Sequence, residues 1–271
     1  MKEIVLTPKE LPKLPIHAEI IKPDAFAGKT IKEIGELKVQ IGNKQTDLSE
    51  IFSVNGETSE DPSDLRIVID GDVSRVKRIG EEMKTGEILI KGNAGMFTGA
   101  RMSGGTLIVE GNADAWFCQE MKGGEAIVKG NAANYVGSSY RGEWTGMKGG
   151  KITIEGNAKS DVGEYMSSGT IIVKGDVEYF AGIHMRGGTI IIEGNALGRV
   201  GSEMDKGTIL VKGEIKNPLP GYKYEGAVKD PEVGGIVHKG EYHKFIADIS
   251  NPKAKGEIYA LADKNNHLLP K

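Results

Sequence analysis

Seven methionines recur at an almost constant spacing and form the largest set of potential metal ligands in the chain. Successive members are 19 residues apart, with one step of 26 residues: Met83, Met102, Met121, Met147, Met166, Met185 and Met204. Thioether sulfur is a soft ligand that binds metals such as Cu(I). Each methionine is followed three residues later by a glycine, however, and a flexible, unbranched side chain beside a turn suits irregular core space. We therefore expect a buried methionine ladder rather than a metal site.

The other residues with catalytic or metal-binding chemistry do not form a set. Cys118 is the only cysteine, so the chain cannot form an internal disulfide or supply the four thiolates of an iron–sulfur cluster. Of the 5 histidines only His238 and His243 are close in sequence, and their spacing matches no common zinc pattern. Residues 27–30 resemble the end of a phosphate-binding loop, but Pro23 replaces the first glycine that such a loop needs. We expect no catalytic, cofactor-binding or metal-binding residue in this chain.

Composition and charge argue against several classes of protein. The net charge is −3 with both signs mixed, which does not suit a nucleic-acid-binding surface. No aliphatic run is long enough to span a membrane. The first residues hold charges and prolines where a signal peptide needs an apolar stretch. The sequence predicts a cytoplasmic protein that binds neither nucleic acid nor membrane.

The methionine spacing belongs to a longer repeat, which is the signature of a solenoid. In one unit, glycines stand at positions 175, 182, 188 and 194, so each repeat has three potential corners. Three short sides joined by three corners describe one coil of a parallel β-helix. We predict an all-β fold, a right-handed parallel β-helix of about seven to eight 19-residue coils with small N- and C-terminal caps.

The clearest strand follows the last corner of each coil. Aliphatic residues alternate there, which places them on one face of the strand: Ile67/Ile69, Ile88/Ile90, Leu107/Val109, Ala126/Val128, Ile152/Ile154, Ile171/Val173, Ile190/Ile192 and Ile209/Val211. The residue after each strand alternates in charge without a break: Asp70, Lys91, Glu110, Lys129, Glu155, Lys174, Glu193 and Lys212. Opposite charges attract when residues one repeat apart are neighbours, so this row predicts that the coils stack in register.

The outward face of the same strands carries a nearly continuous aliphatic stripe. Its members are Val68, Leu89, Ile108, Ile127, Thr153, Ile172, Ile191 and Leu210. An apolar patch of this length is normally covered in a soluble protein. Either the chain's own terminal segments or another subunit should lie on it.

The repeat divides the chain into three segments. Residues 1–64 lack the repeat and should form an N-terminal cap over the first coil. Residues 65–213 form the glycine-rich β-helix. Residues 214–271 should be a C-terminal extension that packs on the β-helix.

One coil carries seven extra residues, which account for the 26-residue step. This insertion presents Tyr140, Arg141, Glu143 and Trp144, and Trp116 in the preceding coil should lie close to it. Tyr, Trp and Arg are enriched at the hot spots of protein interfaces. Two interpretations stay open: the insertion docks a partner, or Trp144 folds back and plugs the corner.

A thirteen-residue element with glycine at both ends and methionine inside recurs at residues 80–92, 99–111, 163–175, 182–194 and 201–213. This element resembles the C-subunit of formylmethanofuran dehydrogenase, and residues 4–9, 22–29 and 136–144 resemble that protein as well. The coil is also similar to the C-terminal domain of the glutamate synthase large subunit. A related formyltransferase/hydrolase complex of methylotrophic bacteria has a similar subunit.

The resemblance implies a part in a multi-subunit enzyme that fixes CO2 onto methanofuran. Its partners would be a molybdenum or tungsten pterin subunit, a hydrolase-like subunit with two metals, and ferredoxin-like subunits with iron–sulfur clusters. The resemblance assigns no catalytic residue to this subunit, so its expected role is a non-catalytic scaffold within a hetero-oligomer.

Two other functions compete with this one. The chain could be the scaffold of a non-redox formyltransferase/hydrolase complex, which an attached pterin subunit would exclude. It could also be a stand-alone β-helix enzyme acting on polysaccharide. Such an enzyme needs a groove of carboxylates and basic residues, and the sequence has none that we recognise.

Overall fold

Short strands dominate the computed structural model, which describes residues 1–252 and 254–270. The first strands are β1 (Lys2–Pro8), β2 (Ile16–His17), β3 (Lys38–Ile41), β4 (Lys44–Asp47), β5 (Phe52–Gly56), β6 (Leu65–Ile69) and β7 (Val76–Lys77). The repeat contributes β8 (Glu87–Ile90), β9 (Thr106–Val109), β10 (Glu125–Val128), β11 (Lys148–Ile154), β12 (Ser168–Val173), β13 (Val177–Tyr179), β14 (Arg186–Ile192), β15 (Ala196–Gly198), β16 (Lys206–Val211) and β17 (Ile215–Asn217). The last strands are β18 (Lys223–Lys229), β19 (Glu232–Val233), β20 (Ile236–Val237), β21 (Glu241–Ala247) and β22 (Gly256–Leu261). Short helices are α1 (Pro23–Phe26), α2 (Ile31–Gly35), α3 (Leu48–Ile51) and α4 (Ala262–Asn265), with 3-10 turns at Pro62–Asp64 and Asn266–Leu268.

One large sheet runs the length of the repeat. Its strand order is β18-β21-β22-β16-β14-β12-β11-β10-β9-β8-β6-β1-β5. Neighbours within the repeat are parallel and in register: Ile88 lies opposite Leu107, and Leu107 lies opposite Ala126. The fold is therefore all-β with parallel strands, and residues one repeat apart are lateral neighbours, as the charge pattern predicted.

A second row of pairings joins the same repeats on another side. Isolated parallel bridges connect Val73 to Ala94, Ala94 to Ala113, and so on to Val177, from which β13, β15 and β17 continue. The aliphatic residues predicted to face inward are buried, and so are all seven recurring methionines. The methionine column is thus an internal ladder in the core.

Asparagine and aspartate side chains stack along one corner. The Oδ1 of Asn112 accepts the backbone N–H of Asn131 at 2.8 Å, and the Oδ1 of Asn131 accepts that of Asn157 at 2.8 Å. The glycine before each member is needed because of this close approach, not for a left-handed turn. At Gly175, for example, a Cβ atom would lie 2.2 Å from the Oδ1 of Asn157. The other two glycine columns do adopt positive φ, as at Gly182 (73°) and Gly188 (83°).

The row of alternating charge forms ion pairs between neighbouring repeats. The Lys129 ammonium lies 3.1 Å from Glu110, and the Lys174 ammonium lies 3.1 Å from Glu155. The pairs Lys91–Asp70 and Lys212–Glu193 repeat the arrangement at 3.2 and 2.9 Å. These partners are half-exposed, so each pair contributes well under about 1 kcal/mol.

The stacking continues beyond the part of the sequence that shows the repeat. At one end β1 pairs in parallel with β6, and Ile4 lies opposite Ile67. At the other end β22 pairs in parallel with β16, and Ile258 lies opposite Ile209. The repeat pattern does not reveal this last strand, because residues 256–261 lack its glycine and methionine spacing.

The outward aliphatic stripe is covered only in part by the chain itself. Ile191 and Leu210 are buried in a cluster with Val233, Tyr242 and Tyr259 of the C-terminal segment. Leu89, Ile108 and Ile127 remain half-buried. The chain's own end therefore covers one end of the stripe and leaves its middle accessible.

Reversing one charge of the row should destabilise the stack. Lys129→Glu removes the ion pair with Glu110 and places three acidic residues in consecutive repeats, because Glu155 follows. We expect the melting temperature to fall by about 1–3 °C, since exposed pairs are weak. Thermal unfolding followed by circular dichroism measures this melting temperature. The control is Lys129→Gln, whose melting temperature should fall by about half as much. A higher melting temperature for Lys129→Glu would contradict in-register stacking.

Candidate docking surface

One corner of the repeat holds large side chains on left-handed backbone. The first such position recurs in seven repeats with φ between 53° and 69°: Arg78, Phe97, Trp116, Tyr135, Asp161, Phe180 and Arg199. Four residues further on, a second left-handed column contains Glu82, Arg101, Glu120, Tyr165, His184 and Glu203. A left-handed residue other than glycine costs about 1–2 kcal/mol. We call these two columns, with the 26-residue repeat's insertion (residues 138–146), the docking corner.

Hydrogen bonds between repeats hold these strained residues in place. The N–H of Phe97 donates to Ala115 O at 3.1 Å, and the N–H of Trp116 donates to Asn134 O at 3.0 Å. The left-handed turn exposes each N–H to a carbonyl of the next repeat. Stacking therefore compensates for the local conformation.

Aromatic rings stack along the corner because the repeats are one strand spacing apart. The rings of Phe97 and Trp116 have centroids 5.2 Å apart, and those of Trp116 and Tyr135 are 4.7 Å apart, both nearly parallel. In the second column Tyr165 and His184 stack at 4.5 Å. Stacked aromatic pairs contribute about 0.5–1.5 kcal/mol beyond their buried area.

The insertion adds two more aromatic residues to this corner. Tyr140 lies tilted against Phe97 and Trp116, with centroids 5.9 and 6.3 Å away. Trp144 meets Tyr165 edge-on at 5.5 Å, and the Arg186 guanidinium donates to Trp144 O at 2.8 Å. The insertion therefore lies across the two columns and bridges the repeats on either side of it.

The structure brings most of the residues singled out in the sequence together. Arg141 lies 5.7 Å above the Trp116 ring, next to Tyr140. Trp144 sits further along the corner and is 64% exposed, so it does not plug the turn, and Tyr140 is 46% exposed. Glu143 is exposed at a cavity of about 390 Å³ that Arg78, Arg101, Gln119, Glu120 and Tyr140 also line.

Sequence reasoning missed several members of the same surface. Phe97, Tyr135, Tyr165 and His184 belong to it, and so does the arginine pair Arg78 and Arg101. A signal was available: Phe97, Trp116 and Tyr135 are spaced 19 residues apart and thus lie in one column of the repeat. Four of the seven arginines in the sequence belong to this corner, Arg78, Arg101, Arg141 and Arg199, and a fifth, Arg186, contacts Trp144 and Tyr165 of the corner.

A buried carboxylate anchors the arginines at the N-terminal end of the corner. Glu81 is 4% exposed and accepts from Arg78 at 2.7 Å and also from Arg101. The ammonium of Lys22 donates to the carbonyl of Glu81 at 2.9 Å, which ties helix α1 to the corner. Burial lowers the pKa of Arg101, but the charges of Glu81 and Glu82 outweigh it, so its pKa lies above the usual value.

Two carboxyl groups in the middle of the corner have no such compensation, and burial disfavours their charged forms. Burial raises the pKa of Asp161 above its usual value. Burial and, secondarily, the charge of Asp161 raise the pKa of Glu164. Both groups are half-buried beside the insertion, so their charged forms are disfavoured there.

The donor sets of the described residues do not fit a metal or redox group. Within residues 1–252 and 254–270, no group of three or more His, Cys, Asp or Glu side chains could hold a metal ion. Cys118 is buried, and burial raises the pKa of its thiol well above the usual value, which opposes thiolate ligation. The buried histidines bond instead within the protein, His238 to Val233 O at 3.1 Å and His243 to Asn266 Oδ1 at 2.9 Å.

In the part of the chain that the structure describes, no helix is long and apolar enough to cross a membrane. The fold and its surface define a repeat protein whose exposed groups suit binding. The aromatic and arginine side chains of the docking corner are the residue types that dominate binding at interfaces.

Comparison with known proteins shows which family this repeat protein belongs to. No family model matches the chain. It is 63% identical over 270 residues to the C-subunit of tungsten-containing formylmethanofuran dehydrogenase 2 from Methanothermobacter thermautotrophicus, in an alignment that spans both proteins completely. It is 54% identical to the corresponding protein of Methanococcus maripaludis, over 99% of this chain and all of that protein. The C-subunit of a molybdenum-containing formylmethanofuran dehydrogenase 1 from Methanosarcina barkeri is 46% identical over 35% of this chain and 32% of its own length.

A solved structure shares the fold. The X-ray structure of a formyltransferase/hydrolase complex from Methylorubrum extorquens contains a chain with a TM-score of 0.83 and 23% identity, covering 95% of this chain and 99% of that one. On the full-length similarity to its relatives, this chain belongs to the C-subunit family of formylmethanofuran dehydrogenase.

The raised carboxyl pKa values predict a pH-dependent stability. An acid whose pKa is raised on folding destabilises the native state above its folded pKa, and this penalty disappears below its unfolded pKa. Glu164→Gln should therefore raise the melting temperature by about 1–2 °C at pH 7.5 and leave it unchanged near pH 4. Glu143→Gln, which alters an exposed carboxylate of the same corner, is the control. Equal effects of Glu164→Gln at both pH values would show that burial does not govern this carboxyl.

Proposed function

We propose that this chain is the non-catalytic scaffold subunit of a formylmethanofuran dehydrogenase of the tungsten type, a complex that reductively fixes CO2 onto methanofuran. The observation that carries the scaffold role is the docking corner: a row of stacked aromatic and arginine side chains in the turns of successive repeats, of which Tyr140 and Trp144 are exposed and Phe97 and Tyr165 are buried supports. The tungsten assignment rests on full-length identity, because the molybdenum-type relative aligns with only 35% of the chain.

The fold in this proposal is a right-handed parallel β-helix of about seven to eight coils, with a cap over residues 1–64, the coils in 65–213 and an extension over 214–271. In-register parallel pairing on two sides of each repeat supports it. The handedness follows the rule that crossovers between parallel strands are right-handed in about 98% of cases. Such a rod is stiff, because each repeat hydrogen-bonds to both neighbours.

The docking corner would bind a protein subunit through a few strong contacts. Tyr140, Arg141, Glu143 and Trp144 form the exposed part. Trp116 supports Tyr140 and Arg141 from below, and Tyr165 supports Trp144. Arg141 and Arg186 each lie over an aromatic ring, which fixes their guanidinium groups before binding. A surface that is already ordered loses less entropy when a partner binds.

The partners in this proposal are the hydrolase-like, metal–pterin and ferredoxin-like subunits of the complex. The tungsten pterin, the two-metal site and the iron–sulfur clusters would belong to those subunits, since the donor sets of the described residues fit none of them. A cytoplasmic location belongs to the same proposal, because the chain holds a single, buried thiol and no disulfide is needed for the fold.

The alternative is a scaffold for a non-redox formyltransferase/hydrolase complex. The shared fold with the Methylorubrum extorquens complex favours it. That chain is only 23% identical, however, whereas the dehydrogenase subunit of Methanothermobacter thermautotrophicus is 63% identical. Tungsten in a complex purified through this chain would decide for the dehydrogenase.

The double variant Trp144→Ala with Arg141→Ala should weaken assembly and leave the fold intact, because both side chains are exposed. We expect recovery of partner subunits with the tagged chain to fall at least about tenfold, since interface hot spots contribute about 2 kcal/mol or more each. Purification from cells that express the complex, followed by mass spectrometry and tungsten analysis, measures this. Lys159→Ala with Lys216→Ala, at exposed positions beside the asparagine ladder, is the matched control. Unchanged recovery for the corner variant would show that partners bind elsewhere.

A further inference from the structure

The uncovered part of the outward aliphatic stripe is a second surface, separate from the docking corner. Leu89, Ile108 and Ile127 stand in its middle and are half-buried. The hairpin of β19 and β20 closes one end, because Gly234 lies against Thr189 and Ile191. The outward Ile172 of β12 also packs against this C-terminal cluster. Seven consecutive strands of the sheet lie beyond β12: β5, β1, β6, β8, β9, β10 and β11.

This face is large enough for a stable interface. Seven strands at about 4.8 Å spacing span roughly 34 Å, and the strands are about 20 Å long with their flanking residues. The product, roughly 680 Å², approaches the ~800 Å² that each partner buries in a standard protein interface. Two sheets stack readily at about 10 Å with strands nearly aligned.

A row of charged residues lies on each side of the stripe, and each row is complementary to the same row of a second copy. On one side the row reads Asp70, Lys91, Glu110, Lys129, and on the other it reads Glu3, Arg66, Glu87, Thr106, Glu125, Lys151, with one residue per strand. Consider two copies placed face to face about a two-fold axis that runs parallel to the strands and passes between β8 and β9. The strands of the second copy then run across the face in the reverse order. Each row of charged residues lies opposite the same row of the second copy. Six of the uncovered strands then face one another across the axis: β8 faces β9, β6 faces β10, and β1 faces β11.

That symmetry brings opposite charges together in both rows. Lys91 meets Glu110 of the second copy, and Asp70 meets Lys129. In the other row Arg66 meets Glu125, and Glu3 meets Lys151. Glu87 meets the neutral Thr106, so no like charges face each other, and Leu89 meets Ile108 at the centre.

We infer that this outer face binds the same face of a second copy of the chain about that axis. A partner of a different fold could cover the aliphatic stripe, but it would not carry charges at the same one-strand spacing. Another copy does, and a self-complementary surface is what a two-fold interface requires. The inference goes beyond the proposed scaffold role, because it concerns a different face and a different partner.

The first test measures the mass of the full-length chain by sedimentation at several concentrations, for the wild type and for Ile108→Lys. A charge at the apolar centre should weaken dimerisation at least about 100-fold, because a lysine there loses water without gaining a partner. Leu14→Lys, which changes an exposed apolar residue outside the face, should remain dimeric. A monomeric wild type would overturn the inference.

The second test separates the interface from the stability of the fold. Lys129→Glu should weaken the dimer, and adding Asp70→Lys should restore it, because the two positions face each other across the axis. Within one chain the double variant places two lysines side by side, at positions 70 and 91, and should be less stable thermally. Recovery of the dimer despite a lower melting temperature supports the axis, and no recovery contradicts it.

The third test asks whether the contact exists in the assembled complex. Thr106→Cys stands on the face, and a short bis-maleimide should cross-link two copies of the chain in the purified complex. The native Cys118 is buried, and Lys159→Cys on another side of the chain is the control. Cross-linking to a different subunit would show that the face serves that subunit. The Trp144→Ala, Arg141→Ala variant should still cross-link, so failure of the docking corner and failure of this inference give different results.

Discussion

The whole structure depends on hydrogen bonding between residues one repeat apart. The N–H of Gly99 donates to Ile79 O at 2.8 Å, and that of Cys118 donates to Thr98 O at 2.9 Å, so consecutive repeats are joined at corners as well as along strands. A slip of one residue would move every inward isoleucine to the outer face. The register is therefore fixed by the core, and every position of the repeat becomes a column of adjacent side chains.

Columns impose a simple rule on side chains, since each one lies about 4.8 Å from its counterparts above and below. Charged residues that alternate in sign form ion pairs between repeats, as Lys129 does with Glu110. Amides can form continuous chains, as Asn112 and Asn131 do. Aromatic rings stack, as Trp116 does between Phe97 and Tyr135. The surface is therefore ordered by the same constraint as the core.

Much of this was predictable from the sequence, because a repeat sums a weak signal over many copies. The buried methionine ladder, the alternating isoleucines and the charge row each recur often enough to exclude chance. The strand at residues 256–261 was not predictable in this way, since Ile258 and Ala260 join the stack without the repeat's glycines. The left-handed columns were also hidden, because nothing local marks Trp116 or Tyr165 as a residue with positive φ. Only the spacing of 19 residues between aromatic positions contained that information.

The docking corner shows how this architecture builds a surface. Stacked repeats set similar positions in parallel rows, so neighbouring side chains support one another along the corner. The insertion is the place where this regularity is interrupted. There the second left-handed column passes from Glu120 to Tyr165, and the extra residues place Tyr140 and Trp144 over neighbouring repeats. Glycine would be less strained at Phe97, Trp116 or Tyr135, but it would remove the rings that support Tyr140 and Arg141. The strained backbone is thus the structural condition for a rigid, aromatic surface at one position along the chain.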